Sequence, residues 1–419
     1  MPLADPILGT IDQDIVDMGN VDRKKYTQKI NLIKQLYENG PSSILELFTK
    51  LGISHPTCQT LVAELTDLGL IEKKGKGVSV GGRKPDLYGL KDGSYYVVSI
   101  DMERFHVRAA IFDNNNNNVS GIRQLPLSIS KDISVLNTIR DFIDALIQDS
   151  DIDTSKILGI GMSMPGLISS EEYINYTYLS EGNFNLKENL EQMFPYPVFI
   201  ENDVKSATIA ESRHGLAKDR KDALVVLLDW GIGLGIIMDG KVRKGAKGFS
   251  GEIGHMPFVD DGALCYCGKR GCLETVASGI ALARMVKEGI KSGQHSLLNR
   301  LSGQEINEIE PHIVIEAANQ GDQFAISMLS KLGNSLGKGI ATLIQLFNPE
   351  VIILGGKIAE AKQYITIPII QSINTYSMAK IREDTKVTLS ELRRDASLMG
   401  NISIVIDSIL ESQIRKANI

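Results

Sequence analysis

Three of the chain's four cysteines lie within one stretch of eight residues, Cys265–Cys272, and a histidine precedes them at His255. A structural zinc ion takes four tetrahedral ligands, commonly thiolates and imidazoles. Two glycines, Gly268 and Gly271, allow the tight turns that bring three sulfur atoms to one ion. The sequence therefore predicts a closed zinc centre whose ligands are His255, Cys265, Cys267 and Cys272.

Clustered cysteines also have uses without a metal, because they form disulfides or serve as small buried side chains. The first 20 residues contain four aspartates and lack the basic start and apolar run of a secretory signal. We therefore expect a cytoplasmic chain with reduced thiols, where a cysteine cluster favours a metal or redox role over a disulfide. Cys58 is far from the cluster in sequence and is predicted to be a core residue.

The charge of the chain is distributed unevenly. The length of 419 residues predicts two to four domains. Their net charge of -6 argues against a protein that coats nucleic acid. Residues 21–90 nevertheless hold eleven Lys or Arg and seven Asp or Glu, whereas residues 1–20 hold four acids and no base. Such asymmetry is weak evidence that one small module meets a polyanion. No apolar run is long enough to span a membrane, so no membrane partner is expected.

The amino-terminal region is predicted to form a helix-turn-helix. A first helix covers residues 24–39, Ser42 or Ser43 caps a second, and Leu51–Ile53 forms a tight turn. Ser54 then caps a third helix, with Pro56 in its first turn, where a missing N–H costs nothing. The apolar face of this helix consists of Cys58, Leu61, Val62 and Leu65.

The basic, glycine-rich residues after the third helix are predicted to form a wing, a two-stranded hairpin. The third helix of such a module reads base edges in the major groove, and wing cations bind phosphates or the minor groove. The alternative is a helical protein-interaction module with a solvated charge run. The predicted DNA-binding residues are Ser54, His55, Thr57, Gln59, Thr60, Lys73, Lys74, Lys76, Arg83 and Lys84.

From residue 95 onward the pattern becomes α/β, with two repeated halves that each open with a strand meander. Strands are predicted at Tyr95–Ile100, Val107–Phe112, Val119–Leu127, Ile157–Met162, Val198–Ile200, Ala223–Leu228 and Val351–Leu354, and long helices at 133–149, 311–347 and 396–415. Polar residues and glycines follow several strands, where α/β proteins bind ligands. They are Asp101, Gly166, Asn202, Asp203, Gly231–Gly235 and Gly355-Gly356. The alternative for Gly231–Gly235 is a plain β-hairpin.

Several of these motifs together resemble the ROK family, named for repressors, open reading frames and kinases. The run Glu252–His255, followed by Cys265-x-Cys267-Gly268-x-x-Gly271-Cys272-x-Glu274, is close to the family signature, and Glu201–Asp203 and Pro165-Gly166 also match. The resemblance covers nearly the whole chain. It implies an α/β fold in which an N-terminal winged helix-turn-helix precedes a two-lobed, actin- and hexokinase-like (ribonuclease H-like) sugar-kinase fold.

The resemblance also implies roles for individual residues. Asn202 and Asp203 would bind sugar hydroxyls, and in kinase members the aspartate is also the general base. Backbone at Gly166 would line the pocket, and His255 would serve both zinc and sugar. A site built from such groups rejects analogues that lack a hydroxyl. The implied sugar-binding residues are Gly166, Asn202, Asp203, Glu252, His255 and Glu274.

The chain departs from the kinase members at two phosphate-binding places. Where they have Asp-x-Gly-Gly-Thr, this chain has Asp101–Phe105, which lacks both glycines and adds the acid Glu103. Where they have a small residue and threonine, it has Asp229-Trp230. Phosphoryl transfer depends on positioning and charge neutralisation of the phosphates. We therefore expect no ATP binding and no catalytic residue, with Asp203 kept as a sugar ligand at the position of a vestigial general base.

Three hypotheses follow. The first is a sugar-responsive transcriptional regulator, a repressor of carbohydrate-metabolism genes that binds operator DNA as a homodimer or homotetramer and is released by a sugar or sugar phosphate. The second is a sugar kinase for a hexose or N-acetylhexosamine with an added DNA-binding domain. The third is a DNA-binding protein whose sugar site has decayed.

The predicted domains are an acidic segment (1–20), the winged helix-turn-helix (21–90) and a sugar-binding domain (91–419). The sugar-binding domain has one lobe at about 91–210 plus 390–419 and another at about 211–389.

Overall fold

The chain folds into two units of contacting residues. The computed structural model describes residues 19–78, 84–169, 172–180, 184–301 and 309–417. The first unit comprises Met1–Met164, Tyr173–Glu201 and Asn401–Ile419, and the second comprises Pro165–Glu172 and Asn202–Gly400. The predicted lobe boundaries near residues 210 and 390 both fall inside the second unit, so this grouping differs from the predicted lobes. The proposed three-domain division stays a prediction.

The first unit begins with the predicted helix-turn-helix and its hairpin. Its strands form one antiparallel sheet in the order β1-β3-β2. The elements are α1 (Asn20–Asn39), β1 (Ser42–Ser43), α2 (Ile44–Leu51), α3 (His55–Asp67), β2 (Ile71–Lys76) and β3 (Asp86–Leu90).

Local sequence signals explain where these helices begin and end. The Ser43 side chain accepts a hydrogen bond from Glu46 N, and the Glu46 carboxylate accepts one from Ser43 N, which is a complete capping box. Gly52 ends α2 in the left-handed conformation, with φ of 63°. Ser54 Oγ accepts from Thr57 N and caps α3 as predicted. The four predicted apolar residues of α3, Cys58 among them, are buried.

The first unit continues as a five-stranded sheet in the order β6-β5-β4-β7-β8. β4 pairs antiparallel with β5 and parallel with β7. The elements are β4 (Tyr96–Met102), β5 (His106–Asp113), β6 (Arg123–Pro126), α4 (Val135–Gln148), β7 (Ile157–Met164), α5 (Leu186–Met193) and β8 (Val198–Asn202). The predicted strand Val119–Leu127 is wrong in its first half, because Ser120 Oγ accepts a hydrogen bond from Ile111 N in place of a strand partner and Gly121 turns with φ of 72°.

The asparagine run after β5, residues 114–118, forms a loop, and this loop contacts the base of the wing. Asp113 Oδ1 accepts hydrogen bonds from the backbone N–H groups of Asn115 and Asn117 at 2.9 Å each. The Asn115 amide donates to Leu90 O at the end of β3 and to Asp92, which also binds Lys74 of β2 at 2.8 Å. The loop therefore fixes the position of the chain just after β3, where the winged module ends.

The second unit repeats the strand pattern of the first. Its sheet order is β11-β10-β9-β12-β13, with β9 antiparallel to β10 and parallel to β12. The matching pattern confirms the two predicted halves. The elements are α6 (Asp203–His214), β9 (Ala223–Leu228), β10 (Ile232–Met238), β11 (Lys241–Val242), α7 (Glu274–Ala277), α8 (Gly279–Lys291), α9 (Pro311–Asn319), α10 (Gln323–Phe347), β12 (Val351–Gly355), α11 (Gln363–Tyr376), α12 (Ala379–Arg382) and β13 (Lys386–Leu389).

The predicted helical region 311–347 consists of two helices. Gly321 interrupts it with φ of 87°, and Asp322 starts α10 by accepting a hydrogen bond from Ala325 N at 2.8 Å. Buried side chains of α10, including Leu329, Leu336 and Ile340, pack against strand residues in the main core of this unit. Among the helices that the structure describes, none is long and apolar enough to cross a membrane.

The last helix, α13 (Ala396–Ala417), joins the sheet of the first unit to the winged module. The Asn401 side-chain amide lies within hydrogen-bonding distance of Ser99 Oγ and Ile100 O in the middle of β4 and of Ser163 Oγ near the end of β7. Further along α13, Ser403 and Gln413 hydrogen-bond the hydroxyls of two buried tyrosines of α1, Tyr37 and Tyr26. One helix therefore contacts both parts of this unit.

Candidate metal centre, carboxylate cluster and DNA-binding surface

The four predicted metal ligands come together. The ligand atoms of His255, Cys265, Cys267 and Cys272 all lie within 4.8 Å of one another. Cys265 Sγ is 3.6 Å from His255 Nδ1, and Cys267 Sγ is 3.7 Å from Cys272 Sγ. Tetrahedral zinc, with Zn–S near 2.3 Å and Zn–N near 2.0 Å, would separate two sulfurs by about 3.8 Å and a sulfur from a nitrogen by about 3.5 Å. The donor set therefore fits such an ion.

Backbone turns hold these ligands in place. Gly268 N donates to Cys265 O at 3.0 Å, and Gly268 has φ of 86°, so the chain reverses between the second and third cysteine. Gly271 has φ of 71°, and a Cβ there would lie 1.8 Å from Val259 O. Burial lowers the pKa of His255, with a further lowering from Lys269, and this favours the neutral imidazole that metal ligation requires.

The predicted sugar ligands Asn202 and Asp203 lie where β8 runs into α6. Asn202 caps α6, because its side-chain oxygen accepts from Val204 N and Lys205 N at 3.1 and 3.3 Å. Its amide nitrogen donates to Gly166 O at 3.1 Å, so the predicted Gly166 also belongs to this site. Asp203 is the first residue of the helix, where a carboxylate interacts favourably with the helix dipole.

Several acids surround Asp203. Burial raises the pKa of Asp203 to about 7; a hydrogen bond from Val204 N opposes this shift, while the negative charges of Asp229 and Glu252 add to it. Lys205, only 4% exposed, acts in the opposite direction on both Asp203 and Glu252. Neither Lys205 nor Asp229 was predicted as part of this site, although Lys205 stands two residues beyond the Asn-Asp pair and Asp229 ends a strand.

Glu252 and Glu274 complete the cluster of acids, and His255 follows Gly254, where a Cβ would lie 3.0 Å from Glu274 Oε2. Glu274 is 4% exposed, and its Oε2 accepts from Ile232 N at 3.2 Å. Its other oxygen, Oε1, is buried and has no hydrogen-bond partner among the described residues. Burial raises the pKa of Glu274 to about 7, a shift that the hydrogen bond from Ile232 N opposes and Glu252 increases. A buried carboxylate oxygen without a donor is the chemistry that a ligand hydroxyl satisfies.

The alternate glycines after β9 serve helix packing rather than ligand approach. A Cβ on Gly233 would lie 2.2 Å from Val204 Cγ2, and one on Gly235 would lie 1.6 Å from Thr208 Oγ1. Both partners belong to α6, so these glycines let α6 lie directly on β10. The prediction that they admit a ligand is therefore wrong for these two positions. They act indirectly, because they fix the helix that begins with Asp203.

In the first unit, Asp101 is engaged inside the protein. Its Oδ1 accepts from Ser163 Oγ at 2.8 Å, and its Oδ2 lies 3.8 Å from the guanidinium of Arg108. Both partners of this ion pair are buried. Arg104, three residues further along, stacks on the rings of Phe105 and Tyr178 at 5.7 and 5.4 Å. The polar groups of Asp101 and Arg104 are therefore engaged in contacts within the first unit.

The predicted base-reading residues of α3 are divided between its flanks. His55 packs edge-on against Phe48 of α2, while Thr57 and Thr60 face α1 on the opposite side of α3. Gln59 and Thr60 are exposed. The Thr57 hydroxyl lies 2.7 Å from Ser54 Oγ, so both belong to the helix cap.

The wing lysines form ion pairs within the protein, and their sequence positions alone did not predict this. Lys73 and Lys76 both bind Asp86, and Lys74 binds Glu72 and Asp92. The partner acids lie on the paired strands β2 and β3, at Glu72 and Asp86, and just after β3, at Asp92. Lys84 has no ion pair among the described residues, and Arg83 lies outside them.

A groove of about 290 Å³ between α1 and α3 was also missed. Lys24 and Lys25 line it beside Thr57 and Thr60, and Lys25 forms an ion pair with Glu64. The signal in the sequence was the basic run Arg23-Lys24-Lys25 at the start of α1. The groove places cations next to the helix that was predicted to read DNA.

Fold and site together define a protein with a winged helix-turn-helix and a duplicated α/β domain that carries a His-Cys₃ cluster. The model of the ROK family matches residues 97–408, and a winged helix-turn-helix DNA-binding model matches residues 27–72. The chain belongs to the ROK family.

Relatives of known name cover almost the whole chain. The xylose repressor of Caldicellulosiruptor bescii is 30% identical over 94% of this chain and 98% of its own length. The Escherichia coli regulator NagC is 28% identical, over 94% and 95%. A crystal structure of a ROK family transcriptional regulator, a homologue of the E. coli Mlc protein, matches with a TM-score of 0.76 and 27% identity over 94% of this chain and 99% of that one. A ROK family glucokinase from Streptomyces griseus matches with a TM-score of 0.64 and 27% identity, over 74% and 98%.

Proposed function

We propose that this protein is a sugar-responsive transcriptional regulator that represses carbohydrate-metabolism genes and leaves its operator when a sugar binds. The observation that carries the proposal is that one chain holds a DNA-binding module and a cluster of Asn202, Asp203, Glu252 and Glu274 with a buried, unpartnered carboxylate oxygen. Carboxylates and an amide suit several hydroxyls of one sugar at once. The repressor names of the relatives support the same function.

The metal centre of this regulator is proposed to hold zinc. Three thiolates and one imidazole are typical of a structural zinc site, which has no open position for substrate. Bound zinc would fix the loop that carries His255 and the residues on either side of Cys267. It would thereby hold His255 at the carboxylate cluster, since Nδ1 faces the sulfurs and Nε2 faces away from them.

A sugar kinase is the second candidate, because the glucokinase of S. griseus shares the fold and Asp203 stands at the position of its family's general base. The contacts of Asp101 argue against it. A kinase needs that region to neutralise and position phosphates. Here Asp101 is held by Ser163 and Arg108, and Arg104 fills the adjoining segment. We infer that the chain binds no ATP and that Asp203 binds a sugar hydroxyl without catalysing transfer.

The proposed interface with operator DNA combines α3 and the wing. Gln59 and Thr60 would contact base edges, and Lys84 would contact a phosphate without first breaking an ion pair. The other wing lysines would exchange their carboxylate partners for phosphates. We infer a homodimer or homotetramer that acts in the cytoplasm on a pseudo-palindromic operator, because two-fold DNA sites are bound by two-fold proteins.

Release from DNA requires that the sugar bind one state of the protein more tightly than the other. In the first unit, α13 offers a physical connection, because it contacts β4 and β7 through Asn401 and the winged module through Ser403. A change in those strands would be transmitted by this helix to α1.

The test is calorimetric titration of the zinc-loaded protein with D-xylose, N-acetyl-D-glucosamine, D-glucose and their phosphates, and separately with ATP. A DNA ligand selected from a random pool is then titrated with and without the sugar that binds. Sugar binding, no ATP binding and weaker DNA binding with sugar are expected. Phosphorylation of a sugar by ATP would support the kinase instead. DNA binding that no sugar alters would support a regulator with a decayed sugar site.

A further inference from the structure

Tyr266 occupies an unusual place, between two of the predicted metal ligands. Its hydroxyl lies 3.1 Å from His255 Nε2, and the two rings meet edge to face with centroids 5.1 Å apart. The side chain is nevertheless 60% exposed. A tyrosine that is both surface-exposed and bonded to a buried site has room to leave it.

The tautomer of His255 determines what the Tyr266 hydroxyl does. His255 Nδ1 faces Cys265 Sγ, so metal ligation uses Nδ1 and leaves the ring proton on Nε2. Nε2–H then donates to the Tyr266 oxygen. The Tyr266 oxygen therefore occupies the place of a hydrogen-bond acceptor at His255 Nε2.

A sugar hydroxyl can accept from His255 in the same way, since it carries two acceptor lone pairs besides its one donor. His255 and Glu274 are both proposed sugar ligands, and Glu274 has a buried oxygen, Oε1, with no hydrogen-bond partner among the described residues. Tyr266 therefore occupies a hydrogen-bonding position at His255 that the sugar would use.

We propose that the Tyr266 hydroxyl is an internal substitute for one sugar hydroxyl, so that the ligand must displace Tyr266 from His255 when it binds. The proposal rests on the sugar site of the proposed function and adds its regulation. Displacement lowers the apparent affinity, because only the protein molecules with Tyr266 moved away are ready to bind. Displacement of Tyr266 also moves the segment between Cys265 and Cys267. Sugar binding therefore changes the structure at the metal centre.

The test compares sugar affinity of the wild type and of Tyr266→Phe, both zinc-loaded. Phenylalanine keeps the edge-to-face contact with His255 but cannot compete for hydrogen bonds. The titrants are D-xylose, N-acetyl-D-glucosamine and D-glucose. Binding is measured by calorimetry and by the fluorescence of Trp230, the only tryptophan of the chain. We expect binding about 2–10-fold tighter in the variant, the factor that one net hydrogen bond supplies. Tyr376→Phe, at a tyrosine that is 53% exposed in α11, is the matched control and should bind as the wild type does.

Other outcomes overturn the proposal in distinguishable ways. Weaker binding by Tyr266→Phe would mean that Tyr266 is a direct sugar contact, and unchanged binding would mean that it does not compete. Loss of zinc from the variant would assign Tyr266 to holding the metal ligand instead. If neither protein binds any of these sugars, the sugar site of the proposed function fails, and this inference fails with it. Tyr266→Ala, which removes the ring as well, should also bind sugar more tightly than the wild type.

Discussion

The Tyr37 hydroxyl of α1 lies 3.2 Å from the Ser403 hydroxyl of α13, and both side chains are buried. The two residues are 366 positions apart in sequence, so the contact ties the winged module to the end of the chain. Tyr26 and Gln413 make a second such bond at 3.1 Å. Two buried polar bonds in one helix pair fix its register more narrowly than apolar packing alone would.

Tyr37→Phe should lower the free energy of unfolding by about 1 kcal/mol, because it removes one buried hydrogen bond and keeps the ring. Urea unfolding followed by circular dichroism measures this loss. Tyr376→Phe, at an exposed position, should change stability by less than about 0.5 kcal/mol. Equal losses in the two variants would show that the contact with Ser403 contributes nothing specific.

Cys272→Ser should remove a bound metal and lower the melting temperature, because a structural metal that binds only the folded chain stabilises it. Metal content by mass spectrometry and a thermal melt measure both effects. Treating the wild type with a chelator should shift its melt to that of the variant. Cys58→Ala, at a buried cysteine in α3, is the control and should lose stability without losing metal. Full metal occupancy in Cys272→Ser would contradict the predicted ligand set.

Asp203→Asn should raise the free energy of unfolding at pH 8 by about 1–3 kcal/mol. Burial raises the folded-state pKa of Asp203 from 3.8 to about 7, so between these values the folded state binds more protons than the unfolded state. The stabilising contribution of Asp203 is therefore present below pH 4 and is lost as the pH rises toward 7. The variant should show a flatter stability profile between pH 5 and 8, while Asp239→Asn, in an exposed turn, should keep the wild-type slope. Parallel profiles for Asp203→Asn and wild type would refute the shift.

Lys84→Gln should reduce the slope of log affinity against log salt for DNA binding by about 0.9, the value for one phosphate contact. Lys74→Gln should reduce it by less, since Lys74 already pairs with Glu72 and Asp92 and must give up these partners to bind a phosphate. Lys380→Gln, at an exposed lysine of α12, is the charge-matched control. Filter binding or fluorescence anisotropy over a salt series measures the slopes. A slope that falls equally in all three variants would reflect net charge and not a wing contact.

Much of the architecture was predictable because the signals were local. Ser43 and Ser54 are caps with clear sequence signatures, and the strand pattern of each half is an apolar run followed by a glycine or acid. The convergence of His255, Cys265, Cys267 and Cys272 was also predictable, since their spacing alone supplies a complete donor set. These features depend on residues within one turn or one loop of each other.

Other features depend on partners that are distant in sequence. Nothing near Gly233 or Gly235 shows that α6 will lie against them, so their purpose was mistaken. The pairing of Lys73 and Lys76 with Asp86 depends on hairpin register, and the role of Asn401 depends on where α13 crosses the sheet. The position of Lys205 inside the carboxylate cluster likewise follows from the tertiary fold and not from its neighbours.

The asparagine loop after β5 has a consequence for protein engineering. Winged modules are attractive parts for building biosensors, in which a new DNA-recognition head is fused to an existing ligand-binding body. Here Asn115 binds Leu90 O and Asp92, and Asp92 in turn binds Lys74 of the wing. A fusion made at residue 90 would cut through this network. A working chimera would need a donor head that supplies an acid at position 92 and a lysine at position 74, or a recipient body whose loop is exchanged with the head.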